Sequence, residues 1–143
     1  MIRFVLILLL LPTALLAADF YEPARGSALR RHLMEAIRPH AEWTLGAPVE
    51  FVVSDLRVSG EIGYAALEPQ RPGGGRIDFW QTPLMKRGEI DPEFYDGVHM
   101  HVLYQKSGET WVAVHWSIGA TDVWWADPAL CSIFRTVTPE VCY

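Results

Sequence analysis

The chain has 143 residues, with 12 Lys+Arg against 17 Asp+Glu for a formal net charge of −5, and half of its residues are apolar. An acidic balance of this kind excludes binding to nucleic acid through a general phosphate field. The length suffices for one hydrophobic core without dense disulfides or a structural metal.

The first segment, MIRFVLILLLLPTALLAADF, carries one basic residue, Arg3, then an unbroken apolar run over 4–11, then Pro12 and small residues before the first acid, Asp19. This is the layout of a secretory signal peptide over 1–18, with cleavage after Ala18 preferred over Ala17. The apolar run is shorter than the roughly 20 residues a membrane-spanning helix needs. No cysteine stands at the junction, which argues against a lipid anchor. The expected product is a periplasmic or secreted chain with no membrane span. Removing 18 of 143 residues leaves 125, read as a single α+β domain over 19–143. Losing Arg3 takes the basic count from 12 to 11 against 17 acids, a net of −6.

Ser27 can cap a helix whose apolar residues Leu29, Leu33, Ala36 and Ile37 recur at helical spacing, with Arg30, Arg31 and Glu35 on the other side. Pro39 removes a hydrogen bond and crowds the preceding turn, so a kink is expected, or a second abutting helix over 39–45 stopped by Gly46. Pro48 opens extended chain. The β-branched and aromatic residues that follow predict strands over about 49–58 and 61–67, joined at Ser59-Gly60. PQRPGGG, 69–75, reads as a loop, and its glycines lack the lysine and the strand-to-helix context of a phosphate loop. RIDFWQ, 76–81, reads as a third strand, and 82–96, with two prolines and a glycine, as an irregular excursion. A second hairpin then occupies GVHMHVLYQKSGETWVAVHWSIGATDVWW, 97–125, and shares the turn tripeptide Ser-Gly-Glu with the first. Asp127-Pro128 is a good helix start, and that helix carries Cys131. Cys131 and Cys142 in an exported chain predict a disulfide that pins the C-terminal tail, worth roughly 2–3 kcal/mol from loop closure.

In the second hairpin Val98, Met100, Val102 and Tyr104 alternate with His99, His101, Leu103 and Gln105. Past the turn, Val112, Val114, Trp116 and Ile118 alternate with Trp111, Ala113, His115 and Ser117. Burying both sets that hold Met100 and Val114 requires a three-residue connection, Lys106-Ser107-Gly108, because a two-residue turn gives the wrong parity. That register sets Met100 against Val114 and His99 against His115, with His101 as a diagonal neighbour and Trp111 on the histidine face.

Three imidazoles so placed could hold zinc with an open fourth position, and Asp122 could orient a ligand ring. No motif of fixed spacing supports a metal, so the expectation is no cofactor, with zinc on His99, His101 and His115 as the alternative. His115, Ser117 and Asp122 contain the residue types of a nucleophilic triad but lack a nucleophile elbow. A lone His-Asp pair acting as general base is chemically simpler. Six tryptophans are an excess that suggests an aromatic contact platform, with one of Trp124 and Trp125 packed under the pinned tail.

One helical segment followed by about five mostly antiparallel strands resembles the cystatin-like and NTF2-like α+β folds, in which a curved sheet wraps the helix. APVEFVV, LRVSG, QRPGGGRIDF and VHWSIGATDVWW are similar to stretches of small uncharacterised exported proteins of Gram-negative bacteria. That resemblance implies no activity. The expected function is non-catalytic binding of a protein, peptide or glycan in the cell envelope through a face bearing His99, His101, His115, Trp111 and Asp122, with a homodimer as a possible assembly. A small enzyme or zinc protein built on the three histidines is the alternative.

Overall fold

The leucine and isoleucine stripe of the first helix holds the architecture together. In the computed structural model, which describes residues 19–143, helix α1 (Ala28–Leu45) buries Leu33, Ile37, Ala41 and Leu45, four positions at i+4 spacing. The Ser27 side chain accepts from the Arg30 amide at 3.2 Å, and Gly46 stops the helix by donating to Glu42. The expected break at Pro39 does not occur, and one helix runs through it. Pro39 lies on the exposed side, where the carbonyl it leaves without a partner meets water, while the buried stripe continues on both sides of it. The expected signal peptide lies outside the described residues. Among the described residues no helix is long and apolar enough to cross a membrane.

Strands β1 (Glu50–Ser59), β2 (Ile62–Gln70), β3 (Tyr95–Ser107) and β4 (Thr110–Ala120) form one antiparallel meander in the order β1-β2-β3-β4. The sheet therefore has four strands and not five. The missing one is RIDFWQ: the Asp78 side chain accepts from the Trp80 amide at 3.0 Å and bends Phe79–Gln81 into a 3-10 turn. β2 pairs with β1 as far as Gln70 and with β3 as far as Leu67. β2 also runs past its expected end, through Pro69. Its pairing with β3 stops at Leu67, so the missing Pro69 N–H costs no bond on that side. The excursion before β3 holds a short helix, α2 (Pro83–Arg87), capped by buried Thr82.

Both hairpins close through Gly-Glu. Ser59 pairs with Ile62 around Gly60-Glu61, and Ser107 pairs with Thr110 around Gly108-Glu109. Gly60 and Gly108 have φ of 55° and 59°, the positive φ that a two-residue hairpin turn needs at its first central position. The expected three-residue loop is thus replaced by a two-residue turn, and a bulge absorbs the parity conflict. Tyr104 pairs with Ala113 and Leu103 with His115, leaving Val114 unpaired. On the turn side of the bulge Trp111 and Ala113 face α1, while Val112 and Val114 point away. Beyond it the expected parity returns, with Met100 opposite Ile118 and Val102 opposite Trp116.

Part of the second face of the sheet is also covered. Helix α3 (Pro128–Phe134) begins where Asp127 caps it, accepting from the Ala129 amide at 2.8 Å. Phe134, Val137 and Trp125 pack with Tyr64 and Leu103 into a second apolar cluster. The Cys131–Cys142 disulfide closes this segment. Arg57 of β1 fastens it from the sheet side, donating to Glu140 at 2.8 Å and to the Val137 carbonyl at 3.1 Å.

Candidate functional site

The bulge in β4 decides where the histidines sit. His101 faces Ser117 and Leu103 faces His115, so the expected pairing of His99 with His115 does not form. His99 and His101 alternate on β3 and meet edge to face, with ring centroids 5.7 Å apart. His115 is one pair further along, exposed, and set edge-on to Phe134 at 6.4 Å. Among the described residues no group of three His, Cys, Asp or Glu side chains is placed to hold a metal ion. Asp122 is exposed at the far end of β4 and makes no hydrogen bond to a histidine among the described residues.

His101 is bound into the outer layer. Its ring stacks on Trp125 at 4.0 Å, and its Nδ1 lies 2.9 Å from the Tyr64 hydroxyl. Burial pushes the His101 imidazole down to about 4, with the neighbouring charge of His99 acting in the same direction. Burial first, and the carboxylate of Asp55 second, push the Tyr64 hydroxyl up to about 12. The pair is therefore neutral at pH 7, and with the ring proton on Nε2 the tyrosine donates to Nδ1. His99 Nε2 donates to the Ala120 carbonyl at 3.2 Å, which ties the end of β4 to β3. Ser117 Oγ accepts from the indole N–H of Trp124, so this hydroxyl serves the outer layer.

A neutral histidine of this kind makes the fold acid-sensitive. The unfolded chain binds a proton at His101 near pH 6.5 and the folded chain only near pH 4. The stability it contributes is fully present above about 6.5 and is lost as pH falls toward 4. Discounted for the ring's partial exposure, the loss is about 2 kcal/mol. Urea unfolding at pH 7.5 and at pH 4.5 measures it. His101→Phe, which keeps the stack, should flatten the slope over that range. An unchanged slope in that variant would remove His101 as its origin.

Trp111, expected on the histidine face, is 7% exposed in the core under α1. Two strongly exposed aromatic residues meet elsewhere. Trp43 and Phe94 are 71% and 69% exposed and border a cleft of about 710 Å³ that also reaches Tyr95, Trp116 and Asp122. The Arg87 guanidinium lies over the Trp43 ring at 5.0 Å and donates to the Trp43 carbonyl at 3.2 Å. Of the expected site residues, this cleft contains Asp122. Trp43 was legible on the helix: two positions past buried Ala41 it stands about 200° around the axis from the stripe, where a tryptophan meets solvent. Nothing local marks Phe94 as its neighbour.

No family model matches this chain, and neither the curated proteins nor the solved structures contain a match to it.

Proposed function

We propose that this chain is a non-catalytic binding domain of the periplasm or the extracellular space, which engages a protein, peptide or glycan of the cell envelope at the cleft between Trp43 and Phe94. The observation that carries the reading is the exposure of these two rings in the lining of one cleft, which Trp116 and Asp122 also line. Flat aromatic faces supply contact area at small entropic cost, and a carboxylate beside them orients hydroxyl or amide groups. The export part of the proposal rests on the leader-like run over 1–18 and on the disulfide, which is at home in an oxidising compartment. The helix followed by a meander is compatible with a cystatin-like assignment. A homodimer would form along β4, whose outer edge takes no backbone hydrogen bond beyond its pairing with β3 among the described residues.

The test is retention of the purified protein on immobilised peptidoglycan fragments and on envelope proteins cross-linked to it in cells. Trp43→Ala with Phe94→Ala should reduce retention by about tenfold or more, the scale expected for aromatic hot spots, and should leave the melting temperature within a few degrees. Retention unchanged in the double variant would remove the cleft from the interaction. Elemental analysis of the same sample addresses the zinc alternative: stoichiometric zinc lost on His99→Gln would put a metal function ahead of this one.

A further inference from the structure

We propose a second binding site, at the opposite end of α1 from the aromatic cleft, for an anionic amphiphile: a single acyl chain ending in a phosphate or carboxylate. This goes beyond the function proposed above and does not depend on it. A cleft of about 520 Å³ at the start of α1 is lined by Arg25, Arg30, Arg31 and Arg38, with Phe51 and Val53 of β1 forming its apolar side. The volume falls in the range of small-molecule sites. In a chain with 12 Lys+Arg against 17 Asp+Glu, four arginines converging on one cleft are a local reversal of the overall sign.

The placement runs against the helix's own electrostatics. The first turn of α1 holds no acid and carries Arg30 and Arg31, although the positive end of a helix favours carboxylates. Ion pairing within the chain offsets part of this repulsion and leaves the rest. Arg30 contacts Glu22 at 3.0 Å and the Pro23 carbonyl at 3.0 Å, and Arg31 donates to the Gly26 carbonyl at 3.1 Å. Arg38 donates to the Val49 carbonyl and stands over the Phe51 ring at 5.4 Å. Arg25 has no hydrogen bond or ion pair among the described residues. Glu35 is the one acid in the lining.

Each guanidinium has five donors, and the bonds above use few of them, so several remain for an anionic head. The apolar side decides against a bare anion. Phe51 and Val53 stand on the face of β1 that meets α1 and are half-buried there, so covering them with an acyl chain gains free energy that inorganic phosphate cannot supply. The charged heads and the apolar wall lie in the same cleft, which fits a ligand with both parts.

Calorimetric titration of the exported chain with dodecyl phosphate, below its micelle concentration, tests the site. Binding is expected, weakened about tenfold or more by Arg25→Gln with Arg31→Gln, both on exposed positions, and several-fold by Val53→Ser. Thermal melts of the variants establish that they are folded. Co-sedimentation with phosphatidylglycerol vesicles, but not phosphatidylcholine vesicles, would make a bilayer lipid the source of the ligand. Soluble binding without co-sedimentation would make it a free amphiphile. The proposal is overturned if dodecyl phosphate does not bind, if inorganic phosphate binds as tightly, if dodecyltrimethylammonium binds equally well, or if the arginine variant keeps its affinity.

Discussion

Replacing Ala113 with Asp should unfold the protein, while the same change one residue later, at Val114, should be tolerated. Ala113 is 7% exposed and faces α1 opposite Tyr104, in the cluster with Leu33, Ile37 and Trp111. A carboxylate there has no cationic partner in the cluster and must be desolvated or protonated, at a cost of about 3–5 kcal/mol. That is a large part of the total stability of a domain this size. Val114 is the unpaired residue of the bulge and is 37% exposed, so its aspartate keeps water and should cost about 1 kcal/mol or less. Urea denaturation of the two variants separates the registers cleanly. A regular hairpin without the bulge would reverse the order, with Val114→Asp the damaging change.

Phe134→Ala should cost about 3–4 kcal/mol, as much as a truncation in the main core, although Phe134 belongs to the short C-terminal helix. Its ring is 1% exposed and packs with Tyr64, Leu103, Trp125 and Val137 on the sheet face away from α1. The disulfide holds the tail in place but cannot fill the space that the ring leaves. Water entering that space would relieve the burial that holds His101 near 4. An NMR titration of the His101 ring in the variant should therefore move upward toward the ordinary histidine value of about 6.5. A cost below about 1 kcal/mol with an unmoved His101 titration would mean that the tail is a loose cover and not a second core.

Much of the fold follows from short-range signals. Ser27 and Gly46 bound α1, Gly60 turns the first hairpin together with Glu61, Asp127-Pro128 starts α3, and Cys131 finds Cys142 eleven residues on. Each is settled by the conformational preference of one or two residues, or by a closure over few bonds, so neighbours in sequence suffice. The Gly-Glu turn is of the same kind. What it implies for β4 is not, because a two-residue turn and the apolar alternation around Met100 and Trp116 demand opposite parities. A longer loop or a bulge resolves that conflict equally well on local grounds.

The tertiary structure chose the bulge. It buries Trp111 under α1 in place of Val112 and Val114, and an indole removes far more apolar area from water than a valine does. The same dependence on distant partners explains the histidines. Their alternation on β3 is set by the sequence, but whether His101 meets solvent, a metal or an aromatic stack depends on Trp125 and Tyr64, which lie 24 and 37 positions away. The four-strand limit, the second apolar cluster on the outer face and the placing of Trp43 and Phe94 in the lining of one cleft were decided in the same way. Chain order and local chemistry determined the two ends of α1, the start of α3 and the disulfide. Competition for buried area between segments far apart in sequence determined which faces remain open to a partner.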